Sequence, residues 1–296
     1  MKQSNAICLG TVKLGMPEYG FSSAHSSMES QAITFLKQTE ACGISRFDTS
    51  PRYGESEKIL GEYIAQTETK PFVSSKIDNL RPDSPDTPKK MLGSVKLSLE
   101  KLNLTQLDVC YLHQNDLDII SDSYVREGFI LLKQKGLIKY SGASLYGHEE
   151  CEYALSSGGF DFIQVPVSIF DVSFYNAFIK ENKTSVRFAA RSLLLQGILV
   201  NRNAINSRIR QSQQILRYLN QLDQLAQECN LSTFELALAF VFSLPNIDHY
   251  LIGTTSIENL EKDIQCLKVK LPSQAFMRVL ETASQPESWA NPRNWR

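Results

Sequence analysis

Phe47-Asp48-Thr49-Ser50-Pro51-Arg52-Tyr53-Gly54 leaves a short apolar run and passes directly into turn-forming residues. That is the pattern of a β-strand ending at Asp48, with a carboxylate at its carboxyl end and a phenol, Tyr53, in the following loop. Two later segments repeat the arrangement. Phe72-Val73-Ser74-Ser75-Lys76 ends on an amine, and Leu107-Asp108-Val109-Cys110-Tyr111-Leu112-His113 ends on an imidazole. A barrel of parallel strands gathers such carboxyl ends at one rim, where its chemistry is found. Asp48, Tyr53, Lys76 and His113 brought together there would form a proton-donating site.

Outward from these segments, strand and helix patterns alternate. Ala6 to Gly10 reads as strand one, followed by a helix with Ile33 and Leu36 on one face that ends at Gly43. Strand two covers Ser45 to Asp48, a helix runs through Ile59 and Tyr63, and strand three covers Phe72 to Lys76. Thr87-Pro88 reads as an N-cap and a first-turn proline. Leu92, Val95, Leu99 and Leu102 then form an apolar stripe at helical spacing. Strand four ends at His113. Gly128 to Leu137 lies mostly in a helix, and strands five, six and seven are Tyr140 to Leu145, Asp161 to Val167 and Val186 to Ala190. A polar helix spans about Ser207 to Cys229, and Ser232-Thr233-Phe234-Glu235 is a capping box opening a helix through Phe242. Strand eight is Tyr250 to Gly253. Eight such units imply parallel strands joined by right-handed crossovers, an α/β fold. Residues 1–296 are therefore expected to form one (β/α)8 TIM barrel domain. An open doubly wound sheet is the rival, yet no GxGxxG opens the first helix.

Bulk properties exclude several function classes. The 296 residues carry 31 basic and 32 acidic side chains, a net charge of −1 with no dense basic run. That speaks against nucleic-acid and membrane-surface partners. No apolar stretch reaches membrane-spanning length and the first residues lack a signal pattern, so the expected location is cytoplasmic. Cys8, Cys42, Cys110, Cys151, Cys229 and Cys266 show no CxxC spacing and several fall in apolar runs. They read as reduced core thiols, and no metal site is expected. His25, His148 and His249 lie in polar or connecting stretches and are given no role.

The chain resembles an aldo-keto reductase, a family of nicotinamide-dependent (β/α)8 barrels. The resemblance runs from Gly10 to about Asp263. It rests on Gly10-Thr11, Phe47 to Gly54, Leu97-Ser98-Leu99-Glu100-Lys101-Leu102-Asn103, Leu107 to His113, Gly142-Ala143-Ser144, Gln164, Gln196-Gly197 and Ile252-Gly253. It implies NAD(P)H-dependent reduction of an aldehyde or ketone to an alcohol, with Tyr53 as acid and Lys76, Asp48 and His113 around it. The chemistry agrees. Hydride arriving at a carbonyl carbon leaves charge on oxygen that an acid must neutralise. An ammonium beside a phenol lowers the phenol's pKa, and Asp48 would keep Lys76 charged and aimed. A regulatory, partner-binding subunit that keeps the nicotinamide site is the alternative function.

The resemblance also implies cofactor contacts, with NADPH expected and NADH the alternative. Ser144 and Gln164 match the positions that hold the nicotinamide carboxamide, while Leu145 replaces a usual Asn. Arg191 stands where an aromatic residue usually stacks on the nicotinamide. It would either stack in its place or turn to a diphosphate oxygen. Gly10, Thr11, Asp48, Ser192, Leu194, Gln196 and Gly197 complete the expected set on this side. Gly253, Thr254, Thr255, Asn259 and Asp263 follow strand eight, where a helix N-terminus offers a phosphate seat. No cation occupies the position expected to meet a 2′-phosphate, and Lys262 is placed a turn too far along. The substrate is expected to be a small carbonyl compound, a sugar or short polar aldehyde. Its pocket would draw on Met16, Tyr19, Phe21, the residues after strand six and the aromatic tail.

Overall fold

The eight apolar runs become eight short strands: β1 Ile7–Gly10, β2 Arg46–Asp48, β3 Phe72–Ile77, β4 Leu107–Leu112, β5 Ile138–Ser144, β6 Phe162–Pro166, β7 Arg187–Arg191 and β8 His249–Ile252. All pair in parallel, and they close into a barrel in sequence order, with β8 returning to β1. The computed structural model describes residues 6–17, 29–199, 201–205 and 209–295. Tyr19, Phe21 and His25 lie outside the described residues.

Strand register settles which side chains face the barrel interior. Asp48 pairs with Ser74, Lys76 with Tyr111, Tyr111 with Gly142, and Ser144 with Gln164. Because side chains alternate across a strand, these residues share the inward face. Val109, Tyr111 and Phe162 fill the interior below the rim, with Phe72 and Tyr140 packed against them. Gly142 makes room for this filling: a Cβ there would sit 2.5 Å from Tyr111 Cδ1. Between barrel and helices lies the main core, including Leu36, Leu60, Val95, Leu132 and Phe240. Val95 and Leu99 of the expected stripe are buried on the helix Thr87–Lys101.

Several boundaries differ from expectation for local reasons. Asp86, rather than Thr87, is the N-cap of Thr87–Lys101, with Pro88 in its first turn. The helix expected over Gly128 to Leu137 starts earlier, spanning Ser123–Gln134, because the Asp122 carboxylate caps the Tyr124 N–H at 2.8 Å. The polar helix is Ser212–Glu228. Strand β6 is followed only by a π-type turn, Tyr175–Ile179, instead of a full helix. The capping box at Ser232 forms as read, with Glu235 accepting the Ser232 N–H at 2.8 Å. Among the described residues no helix is long and apolar enough to cross a membrane, and no His/Cys/Asp/Glu cluster is arranged to hold a metal ion.

Candidate active site

At the carboxyl ends of the strands a cavity of about 750 Å³ opens, and Asp48, Tyr53, Lys76 and His113 all line it. Lys76 Nζ donates to Asp48 Oδ2 at 2.5 Å and to the Thr49 carbonyl at 2.7 Å. Asp48 Oδ1 accepts from Ser74 Oγ at 2.9 Å and from Gln164 Nε2 at 3.2 Å. Each carboxylate oxygen therefore has a donor, which a buried charge requires. The Lys76 ammonium stands 4.9 Å from the Tyr53 ring centroid. Tyr53 and His113 meet edge to face, 6.3 Å between centroids.

The loop that presents Tyr53 is held by close backbone contact. Gly15 packs against the turn after Tyr53, where a Cβ would lie 1.7 Å from the Tyr53 carbonyl oxygen. Gly54 answers it with a left-handed φ of 54°, a conformation glycine adopts without penalty. Thr11, expected at the cofactor, is instead part of this framework. Its hydroxyl donates to the Asp48 carbonyl at 3.0 Å and it does not line the cavity.

Electrostatics correct one expectation. Burial pushes the Tyr53 phenol above its ordinary value, and Lys76 only partly opposes this, so the net shift is upward. The phenol keeps its proton at neutral pH, which is the form that can donate. Burial also works against charge on Lys76, but Asp48 and then Tyr53 outweigh it and the pKa of the amine is raised. Burial, followed by repulsion from Lys76, brings His113 down to about 4, leaving a neutral imidazole. Its Nδ1 is 3.5 Å from Asp78 Oδ2, and Arg52 Nε pairs with that same oxygen at 2.5 Å.

Of the other expected residues, Gly10, Ser144, Gln164, Arg191, Ser192, Leu194, Gln196, Gly197, Gly253, Thr254, Asn259 and Asp263 line the cavity, whereas Thr255 does not. Ser144 Oγ and Gln164 Oε1 are 3.1 Å apart. Arg191 lies 3.7 Å from the Tyr146 ring centroid and donates to the Leu145 carbonyl at 2.7 Å. Its plane is thus already stacked on a protein aromatic. Ser192 and Gln196 hold left-handed φ values of 62° and 56°, a strain of about 1–3 kcal/mol each that characterises ligand-clamping loops.

Lys13, Tyr146, Glu235 and Lys262 also line the cavity and were not anticipated. The structure brings Lys262, expected a turn too far along, into the lining. Asn259, Lys262, Asp263 and Cys266 are spaced i, i+3, i+4 and i+7 on the helix Ile257–Cys266, so one face brings all four to the cavity. That spacing was the available signal. The expected pocket wall beyond strand six is absent, because Val167, Ile169 and Phe170 are buried in the core. Met16 does not line the cavity either. Trp289 packs on Phe170 and Tyr218, each at 5.4 Å, and Trp295 Nε1 donates to the Trp289 carbonyl at 2.6 Å. These tail aromatics serve the core.

Burial alone raises the Asp263 carboxyl to about 8, and its side chain makes no hydrogen bond among the described residues. The unfolded chain releases this proton near 4 while the folded chain holds it to about 8. The group's contribution is therefore full below pH 4 and declines as pH rises through that window. Asp263→Asn removes the penalty. Urea unfolding at pH 5 and pH 7 should show the variant gaining on wild type by about 1.4 kcal/mol per pH unit.

A family model described as the aldo/keto reductase family matches residues 6–283. The chain belongs to the aldo/keto reductase family. Aldo/keto reductases are oxidoreductases of carbonyl compounds. Among this aldo/keto reductase's relatives, the uncharacterized oxidoreductase Rv2298 of Mycobacterium tuberculosis (strain ATCC 25618 / H37Rv) is 26% identical over 303 residues, covering 95% of this chain and 90% of the relative. The uncharacterized oxidoreductase YqkF of Bacillus subtilis (strain 168) is 23% identical, covering 94% and 96%. The solved holo form of aldo-keto reductase AKR11C1 from Bacillus halodurans shares the fold with a TM-score of 0.76 and 20% identity, covering 96% of this chain and 94% of that one.

Proposed function

We propose that the protein reduces an aldehyde or ketone to an alcohol with NADPH, Tyr53 donating the proton. The observation that carries this reading is the Lys76–Asp48 ion pair at 2.5 Å beside Tyr53, all three lining one cavity with His113. Bound nicotinamide would supply hydride to the carbonyl carbon. Tyr53 gives its proton to the carbonyl oxygen as negative charge builds there. Lys76 stabilises the phenolate left behind, and Asp48 keeps the ammonium charged. His113, neutral, orients the carbonyl oxygen.

The cavity suits the cofactor chemically. Ser144 and Gln164 offer hydroxyl and amide groups to a carboxamide beside the tetrad. Gly10 and the strained Ser192–Gly197 loop let backbone approach closely, and Arg191 offers a guanidinium edge. At the far end the helix starting at Ile257 has its N-terminus toward the cavity rim, with Gly253 and Thr254 before it, a seat for phosphate. Asp263, buried and with no side-chain hydrogen bond among the described residues, fits a ligand that donates a hydrogen bond, as an adenine amino group does. Lys262 supplies the cation that a 2′-phosphate requires. It supports NADPH over NADH, and Glu235, also in the lining, acts in the opposite sense.

Titration with both cofactors, followed by a screen of aldehydes and sugars, tests this reading. Tight binding and turnover on a small carbonyl compound are expected. Cofactor binding without turnover on any carbonyl would point to the regulatory alternative. Lys262→Ala should weaken NADPH by about tenfold, the worth of one exposed charge-assisted contact, and leave NADH nearly unchanged. An equal effect on both dissociation constants would remove Lys262 from the 2′-phosphate.

A further inference from the structure

The opposite mouth of the barrel holds a second cavity, of about 290 Å³, lined by Ala6, Arg46, Phe72, Arg187, Asp248 and His249. Four of these residues are the first of their strands: Arg46 in β2, Phe72 in β3, Arg187 in β7 and His249 in β8. Parallel strands all begin at this end. The alternation that turns Asp48 and Gln164 inward near the rim also turns Arg46 and Arg187 inward here.

Aromatic rings hold both guanidinium groups by their faces. Arg187 lies 4.0 Å from the Phe162 centroid and 4.1 Å from that of Tyr140, and Arg46 lies 4.7 Å from that of Phe72. Stacking of this kind fixes the plane and leaves the N–H edges for a ligand. Arg46 Nη1 is 3.3 Å from His249 Nε2. Among the described residues neither arginine forms an ion pair. Asp248, the only carboxylate in the lining, already accepts the Phe188 N–H at 3.0 Å. Burial, then Arg46 and Arg187, bring His249 down to about 4, so it adds no charge. Two permanent positive charges thus face one carboxylate in a polar recess, a local surplus in a chain of net charge −1.

We propose that this recess binds a small tetrahedral oxyanion, phosphate or sulfate, clamped by the edges of Arg46 and Arg187. Planar, preoriented donors match oxyanion geometry, and the volume, at the lower edge of the range of small-molecule pockets, suits a small ion. The site is separate from the carbonyl chemistry at the rim and does not rest on it.

Imidazole NMR of His249, one of four histidines, reads the recess directly. Titration with inorganic phosphate should move the His249 ring resonances saturably, with a dissociation constant at or below about 1 mM. Arg187→Gln and Arg46→Gln should each weaken this at least about tenfold, the scale of one lost charge-assisted contact. Arg187→Lys, which keeps the charge but not the fork, should fall between and serves if a glutamine variant fails to fold. Parallel titrations with sulfate and with glycerol phosphate distinguish a free oxyanion from a phosphoryl group on a larger ligand. A monoester binding more tightly than phosphate would overturn the free-ion assignment. No His249 response in wild type, or an undiminished response in the arginine variants, would refute the site.

Discussion

Tyr53→Phe is expected to fold and bind cofactor as wild type does while carbonyl turnover falls by about 10² to 10⁴, the range one positioned general acid supplies. The substitution removes a single oxygen. The ring still stands 4.9 Å from Lys76 and edge-on to His113, so packing is retained. The carbonyl oxygen then loses its acid where charge accumulates: neutral His113 can still offer it a hydrogen bond but is a far weaker acid than the phenol, and Lys76 is committed to Asp48 and the Thr49 carbonyl. Steady-state oxidation of NADPH with a panel of aldehydes measures kcat, and a cofactor titration shows that the binding site is intact. Equal turnover by the two proteins on every aldehyde would mean that the acid is another group.

Lys76→Met should have the largest effect on stability, about 3–5 kcal/mol, because it leaves Asp48 charged and buried without its cation. Asp48 is 3% exposed and would keep only the neutral donors Ser74 and Gln164. Adding Asp48→Asn should recover much of the loss, since the double variant buries no uncompensated charge, yet activity should stay lost. Urea unfolding of the single and double variants measures the difference. If the two are equally unstable, the ion pair is not what Lys76 contributes to the fold. In Lys76→Met the phenol also loses the cation that opposes its burial, so the Tyr53 pKa should rise further.

Much of this arrangement is legible before any coordinates. The alternation of apolar runs and helical stripes depends on neighbours two to four residues apart, and that is enough to place eight strands. Asp48, Lys76 and His113 stand at strand ends, so parallel pairing alone carries them to one rim. The capping box at Ser232 is equally local and forms as read. Errors arise where the outcome depends on contacts between distant segments. Trp289 could not be assigned from a terminal position, because its partners Phe170 and Tyr218 lie on other parts of the chain. Counting along the chain sets Lys262 a turn too far, whereas helical phase carries it into the cavity lining beside Asn259 and Asp263.

Sequence by itself determined the strand–helix order, the barrel class and the three residues expected beside the proposed proton donor Tyr53, because each follows from short-range periodicity and strand polarity. Only the tertiary structure decided the stacking of Arg191 on Tyr146 and the upward shift of the Tyr53 phenol. It alone also decided the convergence of Arg46, Arg187 and His249 at the opposite mouth. Ring stacking, desolvation and charge surplus are properties of groups that become neighbours only when the barrel closes.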